Sequence, residues 1–271
     1  MLLAPPAAAA RNAGIAALQV ALHARGLYAG TIDGVSGPAT ASAVKRFQRR
    51  AGLRIDGIPG PRTRGALGRY GRHVLGSRPL ATGTTGWDVA ALQFVLAWHG
   101  FPCAAFDGRF GLHTDWAVRR FQRWAGVRAD GVAGAATIAA LRRPPPQLPL
   151  RLAWPVQGPL GDGFGPRGTR FHAGLDLEAP QGAAVSAAAA GRVVFARFAA
   201  GGWGRLVVVA HADGVTTRYA HLAASSVRRG QLVTTGTALG TVGATGDATG
   251  PHLHFEVRVR GAAVDPRPAL P

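Results

Sequence analysis

The first half of the chain repeats itself at a fixed spacing of 74 residues, so that Leu18-Gln19 recurs as Leu92-Gln93. The same shift, without a gap, also relates Leu22 to Leu96, Gly26 to Gly100, Asp33-Gly34 to Asp107-Gly108, Phe47-Gln48 to Phe121-Gln122, Asp56-Gly57 to Asp130-Gly131, Thr63 to Thr137 and Leu67 to Leu141. Identity at so many positions indicates two copies of one module, which constrains the fold more than any other feature.

Within each copy, the apolar residues predict three short helices. In the first copy, Ile15, Leu18 and Leu22 lie at three- and four-residue spacing, which places them on one face of a helix. A second helix is expected to end at Gly52, and a third, shorter helix to begin at Thr63. The Asp-Gly pairs predict tight turns between the helices, because glycine tolerates a positive φ.

The repeated Leu-Gln, Phe-Gln and Asp-Gly pairs, with spaced glycine and threonine residues, resemble the peptidoglycan-binding modules of bacterial cell-wall proteins. The resemblance covers residues 15–70 and 84–142. It implies that two modules, at 11–72 and 80–142, anchor the chain to bacterial peptidoglycan. The repeated phenylalanines are expected to complete a small core, whereas the glutamines could belong to that core or to a ligand groove that the sequence does not identify.

A change in composition divides the chain after the second copy. Residues 143–150 read Arg-Pro-Pro-Pro-Gln-Leu-Pro-Leu, which predicts an extended, semi-rigid linker. Over residues 151–271, short runs rich in β-branched residues and bounded by glycine predict a mainly antiparallel β domain. The expected fold is a multidomain α and β protein, in which two small three-helix modules precede one β domain.

The charge of the chain is one-sided. Lysine and arginine residues number 31 against 13 aspartate and glutamate residues, which gives a formal net charge of +18. Such an excess favours an anionic partner, such as nucleic acid, an acidic membrane surface or a cell wall. The sequence shows no basic patch interleaved with aromatic residues and no nucleic-acid-binding motif, so no nucleic-acid partner is expected.

Other features exclude further classes of protein. The single cysteine, Cys103, excludes an intrachain disulfide and a zinc site built from cysteines. The chain has no run of about 18 apolar residues, so no transmembrane helix is expected. Residues 1–10 are apolar but lack a basic start, so they do not predict a signal peptide. The chain is expected to act as a monomer.

One segment near the C-terminus, from His252 to Val259, alternates polar and apolar residues and predicts a strand with one apolar face. The apolar face carries Leu253, Phe255, Val257 and Val259. The opposite face carries His252, His254, Glu256 and Arg258. Two imidazoles on one face are costly to bury without partners, which points to a metal or a catalytic site.

Further candidate ligands lie upstream of this strand. His172 and Asp176 are four positions apart, and Gly174 between them gives the backbone freedom. Catalytic zinc takes three nitrogen or oxygen ligands and keeps one position open for water. His172, Asp176 and one histidine of the 252/254 pair supply such a set. These two histidines lie about 6.6 Å apart along a strand, so one could bind the ion while the other addresses water or substrate.

Four separated motifs follow one another in this domain: GFGPR at 163–167, HAGLD at 172–176, YAHL at 219–222 and GPHLHFE at 250–256. Their sequences and order resemble the lysostaphin-like (LytM-type) zinc endopeptidases of peptidoglycan, from about residue 154 to residue 266. The resemblance implies a Zn2+ ion bound by His172, Asp176 and His254. It also implies that His221 and His252 are catalytic histidines outside the metal's ligand set.

Three neighbouring residues leave alternatives open. Tyr219 shares a strand face with His221, so it could line the site or pack against the sheet. Glu256 could support a metal-bound histidine or pair with an exposed arginine. His211 matches no ligand position and is expected to be structural.

The sequence therefore predicts a zinc metalloendopeptidase that hydrolyses peptide bonds in the stem peptide or cross-link of bacterial peptidoglycan. We expect the two modules to hold it on the wall, and the protein to be secreted or cell-wall associated. The alternative is a non-catalytic wall-binding or regulatory protein, against which the complete set of site residues argues. The scissile bond stays open between a glycine cross-bridge and a D-alanyl–diamino acid cross-link, and a role for a bacterium or a phage stays open as well.

Overall fold

The computed structural model describes residues 11–271, so the expectation for residues 1–10 lies outside the described part of the chain. The chain forms two compact units. One runs up to Pro144 and includes Pro166–Phe171, and the other comprises Pro145–Gly165 and His172–Pro271. No helix among the described residues is long and apolar enough to cross a membrane. The predicted bounds of the modules and the linker stay predictions.

The described residues of the first unit form six α-helices, three in each sequence copy. They are α1 (Ala13–His23), α2 (Pro38–Arg50), α3 (Pro61–Ala66), α4 (Trp87–Trp98), α5 (Leu112–Ala125) and α6 (Ala135–Leu141). Local sequence explains several of these bounds. The side chain of Asn12 caps α1 by accepting from the amides of Gly14 and Ile15, and proline begins α2 and α3. The structure confirms the predicted helical first half.

Buried glutamines hold the turns between these helices. Nε2 of Gln48 lies 2.8 Å from Oδ1 of Asp56 and 3.1 Å from Oγ1 of Thr63. The amide of Gly57, at a φ of +76°, donates to Oε1 of the same glutamine. Equivalent networks surround Gln19, Gln93 and Gln122. The glutamines therefore belong to the core, as do the repeated phenylalanines, of which Phe121 is fully buried.

The described residues also form three short 3-10 helices and eleven short strands. The strands are β1 (Gly165–Arg167), β2 (Arg170–His172), β3 (Leu175–Glu178), β4 (Ala184–Ser186), β5 (Gly191–Ala199), β6 (Gly204–Ala210), β7 (Val215–Ser225), β8 (Leu232–Val233), β9 (Ala238–Val242), β10 (His252–Val259) and β11 (Ala262–Val264). Strands β3 to β11 form one sheet with the central order β11-β10-β7-β6-β5-β8. Their pairings are antiparallel, which confirms the predicted β domain.

Strand β10 positions the candidate site. It pairs with β3, β7 and β11, and its register places His254 directly opposite Asp176 on β3. The side chains of Leu253, Phe255 and Val257 are fully buried, as the alternating sequence predicts. Burial of each large apolar side chain stabilises the fold by about 1.5–3 kcal/mol. These residues therefore hold β10 in register and keep its polar face in place.

Candidate metal centre

Three potential ligand atoms converge beside β10, and they belong to the three predicted ligands. Nε2 of His172 lies 3.0 Å from Nδ1 of His254 and 3.1 Å from Oδ1 of Asp176. Nδ1 of His254 lies 2.7 Å from the same carboxylate oxygen. Ligands of a tetrahedral zinc ion, each about 2.0–2.1 Å from the metal, lie roughly 3.3 Å from one another. The observed spacing is therefore close to that of a metal-ligand set.

The outer contacts of the two histidines direct their lone pairs towards this point. Nδ1 of His172 lies 2.9 Å from the carbonyl oxygen of Gly163, and Nε2 of His254 lies 3.4 Å from Oε1 of Glu256. N–H groups on these two nitrogens would leave Nε2 of His172 and Nδ1 of His254 unprotonated and facing each other when a metal ion is bound. Two lone pairs and a carboxylate at such distances repel unless a proton or a metal ion lies among them. The group therefore fits a metal ion.

The surrounding charges favour a cation at this point. Burial raises the pKa of Asp176, but hydrogen bonds from His172 and His254 outweigh it and hold that pKa well below its usual range. Burial lowers the pKa of His254, but the carboxylates of Asp176 and Glu256 raise it more strongly, to about 9. Without an ion, the His254 imidazole is therefore protonated on both ring nitrogens at neutral pH, and a metal ion displaces the Nδ1 proton on binding.

Two further histidines face the same region. Nδ1 of His252 lies 2.9 Å from the carbonyl oxygen of Gly250, and its Nε2 lies 3.8 Å from Oδ1 of Asp176. Nδ1 of His221 lies 2.8 Å from the carbonyl oxygen of Thr245, and the centroids of the His221 and His252 rings are 4.9 Å apart. In each ring, an N–H at Nδ1 donates to a backbone carbonyl, which leaves Nε2 as the proton acceptor.

His221 reaches this region through an irregular backbone. Its φ of +60° lies in the left-handed region, which is uncommon for residues other than glycine. Its amide donates to the carbonyl oxygen of Trp203 at 3.0 Å, and its own carbonyl accepts from the amide of Thr245 at 3.4 Å. Burial lowers the pKa of His221, and the neighbouring imidazoles of His252 and His254 act in the same direction. The ring is therefore neutral and available as a base.

The same backbone irregularity determines whether Tyr219 lines the site or packs against the sheet. An ideal strand would place Tyr219 on the face of His221, but the left-handed residue breaks the alternation. Tyr219 is fully buried, and its ring centroid lies 5.4 Å from that of Phe255. Its hydroxyl accepts from the amide of Ala188 at 2.8 Å. Tyr219 therefore packs in the core and does not line the site.

His211 has a structural position, as expected from the sequence, and Glu256 contacts both a histidine and an arginine. Nδ1 of His211 lies 2.7 Å from the carbonyl oxygen of Ala190, and burial lowers the pKa of this histidine. Oε2 of Glu256 accepts from Nε of Arg258 at 2.8 Å, while its Oε1 faces His254. The arginine partner is buried, contrary to the exposed arginine that the sequence suggested. Burial raises the pKa of Glu256, but the charge of Arg258 outweighs it and lowers that pKa to about 2.

Two residues near the candidate metal ligands escaped the sequence analysis. The ring of Trp203 lies edge-on to that of His254, with centroids 5.7 Å apart. Cζ of Arg218 lies 5.3 Å from the centroid of the Trp203 ring. Neither residue belongs to one of the four motifs. One sequence signal could have indicated Arg218. It is the only charged residue between Val215 and Tyr219, where the strand otherwise carries apolar and small polar residues.

Comparisons with known proteins identify the families that the two parts of the chain match. Residues 170–266 match the model of peptidase family M23, and residues 11–67 and 85–141 match that of a putative peptidoglycan binding domain.

Each individual relative matches less than half of this chain. Cell division protein DipM of Caulobacter vibrioides is 42% identical over 128 residues, which are 45% of this chain and 21% of the relative. DD-carboxypeptidase/endopeptidase Mpg of Neisseria meningitidis serogroup B is 48% identical over 97 residues, which are 36% of this chain and 22% of the relative. The chain thus spans about a fifth of the length of these two relatives. The catalytic domain of the antimicrobial peptidase lysostaphin from Staphylococcus simulans is 33% identical, with a TM-score of 0.39, and the match covers 41% of this chain and 90% of that domain. The chain belongs to peptidase family M23 through its β domain, and it carries two peptidoglycan-binding domains before that domain.

Proposed function

We propose that the protein is a zinc metalloendopeptidase that hydrolyses peptide bonds in the stem peptide or cross-link of bacterial peptidoglycan. The observation that carries this proposal is the convergence of ligand atoms from His172, Asp176 and His254 on one point. Two imidazoles and one carboxylate form a donor set that suits zinc. Membership of peptidase family M23 supports the reaction class, as does a relative named DD-carboxypeptidase/endopeptidase.

In this proposal, His172, Asp176 and His254 would hold the zinc ion, and water would complete its ligand set, as in other catalytic zinc sites. When bound, zinc lowers the pKa of that water and polarises the scissile carbonyl. Glu256 accepts from Nε2 of His254, and so keeps its Nδ1 lone pair directed towards the ion. The carbonyl of Gly163 does the same for His172 by accepting from Nδ1.

His221 and His252 move the proton. Nε2 of each ring accepts a proton, because Nδ1 of each donates to a backbone carbonyl. The ring that takes the proton from water becomes a donor and delivers it to the leaving amine. The second ring, with its centroid 4.9 Å from the first, orients the reacting groups.

The two peptidoglycan-binding domains hold the peptidase on its substrate in this proposal. Attachment to the wall makes the encounter with a scissile bond intramolecular and raises the effective substrate concentration. The substrate lies outside the cytoplasm, so we place the protein in the cell envelope, either secreted or associated with the wall.

Cleavage of purified sacculi tests the proposed function. Wild-type protein supplied with zinc should release muropeptides with new amino termini, which mass spectrometry identifies. His252→Ala and His221→Ala should each slow this release by about 10²–10⁴-fold, the usual contribution of general acid–base catalysis. His113→Ala, which removes an exposed histidine from the helical unit, is the control and should cleave normally. Binding to sacculi without any release by the wild type would refute the proposal and favour a non-catalytic wall-binding protein.

A further inference from the structure

The second unit holds an arginine whose charge the metal centre does not use. Arg218 lies on β7 directly opposite Glu256 on β10. Both oxygens of Glu256 are engaged elsewhere, because Oε2 accepts from Nε of Arg258 and Oε1 faces Nε2 of His254. Nε of Arg218 is buried and has no hydrogen-bond partner among residues 11–271. Two arginines therefore share the neighbourhood of one glutamate, and Arg218 carries the surplus charge.

Trp203 positions this guanidinium beside the metal ligands. Cζ of Arg218 lies 5.3 Å from the centroid of the Trp203 ring, and that ring lies edge-on to the ring of His254 at 5.7 Å. A stacked guanidinium uses its flat face and leaves its N–H groups, which lie in the plane, for a ligand. Trp203 and Arg218 are both partly exposed, so a ligand can reach them from solvent.

The local energetics favour an anionic ligand. The buried Nε–H of Arg218 lacks a hydrogen-bond partner among residues 11–271, which is costly, and an anion that accepts from the guanidinium offsets that cost. Burial lowers the pKa of Arg218 and the charge of Arg258 lowers it further, while the charge of Glu256 acts in the opposite direction. Arginine binds a carboxylate through two parallel N–H donors, so a carboxylate is the anion whose shape it matches.

The strand register places Arg218 close to the candidate metal centre. Glu256, which lies opposite Arg218, is two residues along β10 from His254, or about 7 Å along a strand. The Trp203 ring, which Arg218 contacts, also lies beside the His254 ring. A carboxylate bound at Arg218 therefore lies close to the scissile bond.

We infer that Arg218, stacked on Trp203, binds a free carboxylate of the substrate and selects cross-links that carry one close to the scissile bond. This inference rests on the proposed function. A D-alanyl–diamino acid cross-link carries such a carboxylate where the diamino acid is a dicarboxylic acid, on the carbon bonded to the scissile nitrogen, whereas a glycine cross-bridge consists of uncharged residues. The Arg218 pocket therefore favours the D-alanyl–diamino acid cross-link among the two that the sequence leaves open.

Binding to the metal-free protein tests the pocket independently of catalysis. The probes are a D-alanyl–diamino acid peptide with a free diamino acid carboxylate and the same peptide with that group as a carboxamide. Dissociation constants from NMR titration should favour the acid over the amide by about 10–100-fold in the wild type, because a hydrogen-bonded charge is replaced by a neutral group. Arg218→Met should bind both peptides equally. Arg229→Met, which removes an exposed charge from the same unit, should keep the preference.

A second variant and a cleavage assay complete the test. Arg218→Lys keeps the charge but loses the planar fork, so it should show an intermediate preference, and it guards against a methionine variant that does not fold. Equal binding of acid and amide by the wild type would overturn the inference. Cross-linked muropeptides in the acid and amide forms then separate the two proposals. Preferential binding of the acid without cleavage of either form would refute the proposed function alone, whereas equal binding and equal cleavage of both would refute the carboxylate pocket alone.

Discussion

The two units of the molecule each bury a polar network, and the two networks are completed in different ways. In the helical unit, Nε2 of Gln122 lies 3.0 Å from both Oδ1 of Asp130 and Oγ1 of Thr137, and its Oε1 accepts from the amide of Gly131. In this network, the donors and acceptors of the helical unit pair with one another. Such a network stabilises a fold and has no remaining capacity for a ligand.

The network of the β unit needs a cation at its centre. His172, Asp176 and His254 present three acceptor atoms to one another once each histidine donates an N–H to an outer partner, so a proton on His254 or a metal ion must lie among them. The rise in the pKa of His254 to about 9 expresses the same need. The comparison shows that burial of polar groups alone does not mark a functional site. The site is distinguished by acceptors that the chain leaves without a donor.

Loss of a central acceptor in the β unit should have the largest effect. Asp176→Asn keeps the shape of the side chain and removes the negative charge that a metal ion needs. Because changes to residues outside the ligand set already cost about 10–100-fold, we expect zinc affinity and cleavage of sacculi to fall by more than about 100-fold. Chelator competition measures the affinity. Retention of wild-type affinity would show that Asp176 is not a ligand.

Disruption of the closed network should affect stability and leave the chemistry intact. Gln122→Met and its counterpart in the first copy, Gln48→Met, each leave a carboxylate, a backbone amide and a buried threonine hydroxyl without their glutamine partner. We expect each to lower the free energy of unfolding of the helical unit by about 2–3 kcal/mol, measured by urea titration. Gln147→Met, at an exposed position, should change it by less than about 0.5 kcal/mol. Cleavage of small soluble muropeptides should be unchanged in all three variants.

The support of a ligand can be tested separately from the ligand itself. Glu256→Gln weakens the contact that orients His254, so zinc affinity should fall by about 10–100-fold. The control is Glu178→Gln, which alters an exposed glutamate on β3 and should bind zinc normally. Equal affinities of the two variants would mean that Glu256 serves the fold through Arg258 and does not support the metal site.

The smallest expected effect concerns a histidine outside the metal centre. Burial lowers the pKa of His211, so the unfolded chain binds more protons than the folded chain in mildly acidic solution. The stability from neutral His211 is fully present above about pH 6.5 and is lost as the pH falls towards the folded pKa. The stability advantage of the wild type over His211→Gln should therefore shrink by up to about 1 kcal/mol from pH 7.5 to pH 5. Urea titrations at both pH values measure it, and an advantage that grows on acidification would contradict the account.

The helical unit was readable from the sequence because its elements are local and repeated. The finer unit, a glutamine joined to an Asp-Gly turn and a threonine, was not recognised. The threonine follows the aspartate by seven residues in each network, as in Asp33 and Thr40, but the step from glutamine to aspartate differs. This step is 14 residues from Gln19 to Asp33 and eight from Gln48 to Asp56. A search for repeats at one fixed spacing therefore does not find the shared pattern.

In the β unit, motifs and strand alternation led to the residues that the structure brings together at the metal centre. Tyr219 was ambiguous because a left-handed φ at His221 breaks the alternation, and no sequence rule indicates such a conformation at a histidine. Trp203 and Arg218 were missed for another reason. Their proximity to His254 depends on the register between strands and on a turn, and these are long-range properties that local patterns do not encode.

Metal content tests the central claim most directly, because it separates the two histidines of β10. Native mass spectrometry of protein purified without chelators should show one zinc ion per chain in the wild type and in His252→Ala, since His252 is not a ligand in this account. His254→Ala should lose the ion. Zinc bound equally by both variants, or lost from His252→Ala and kept by His254→Ala, would contradict the proposed ligand set.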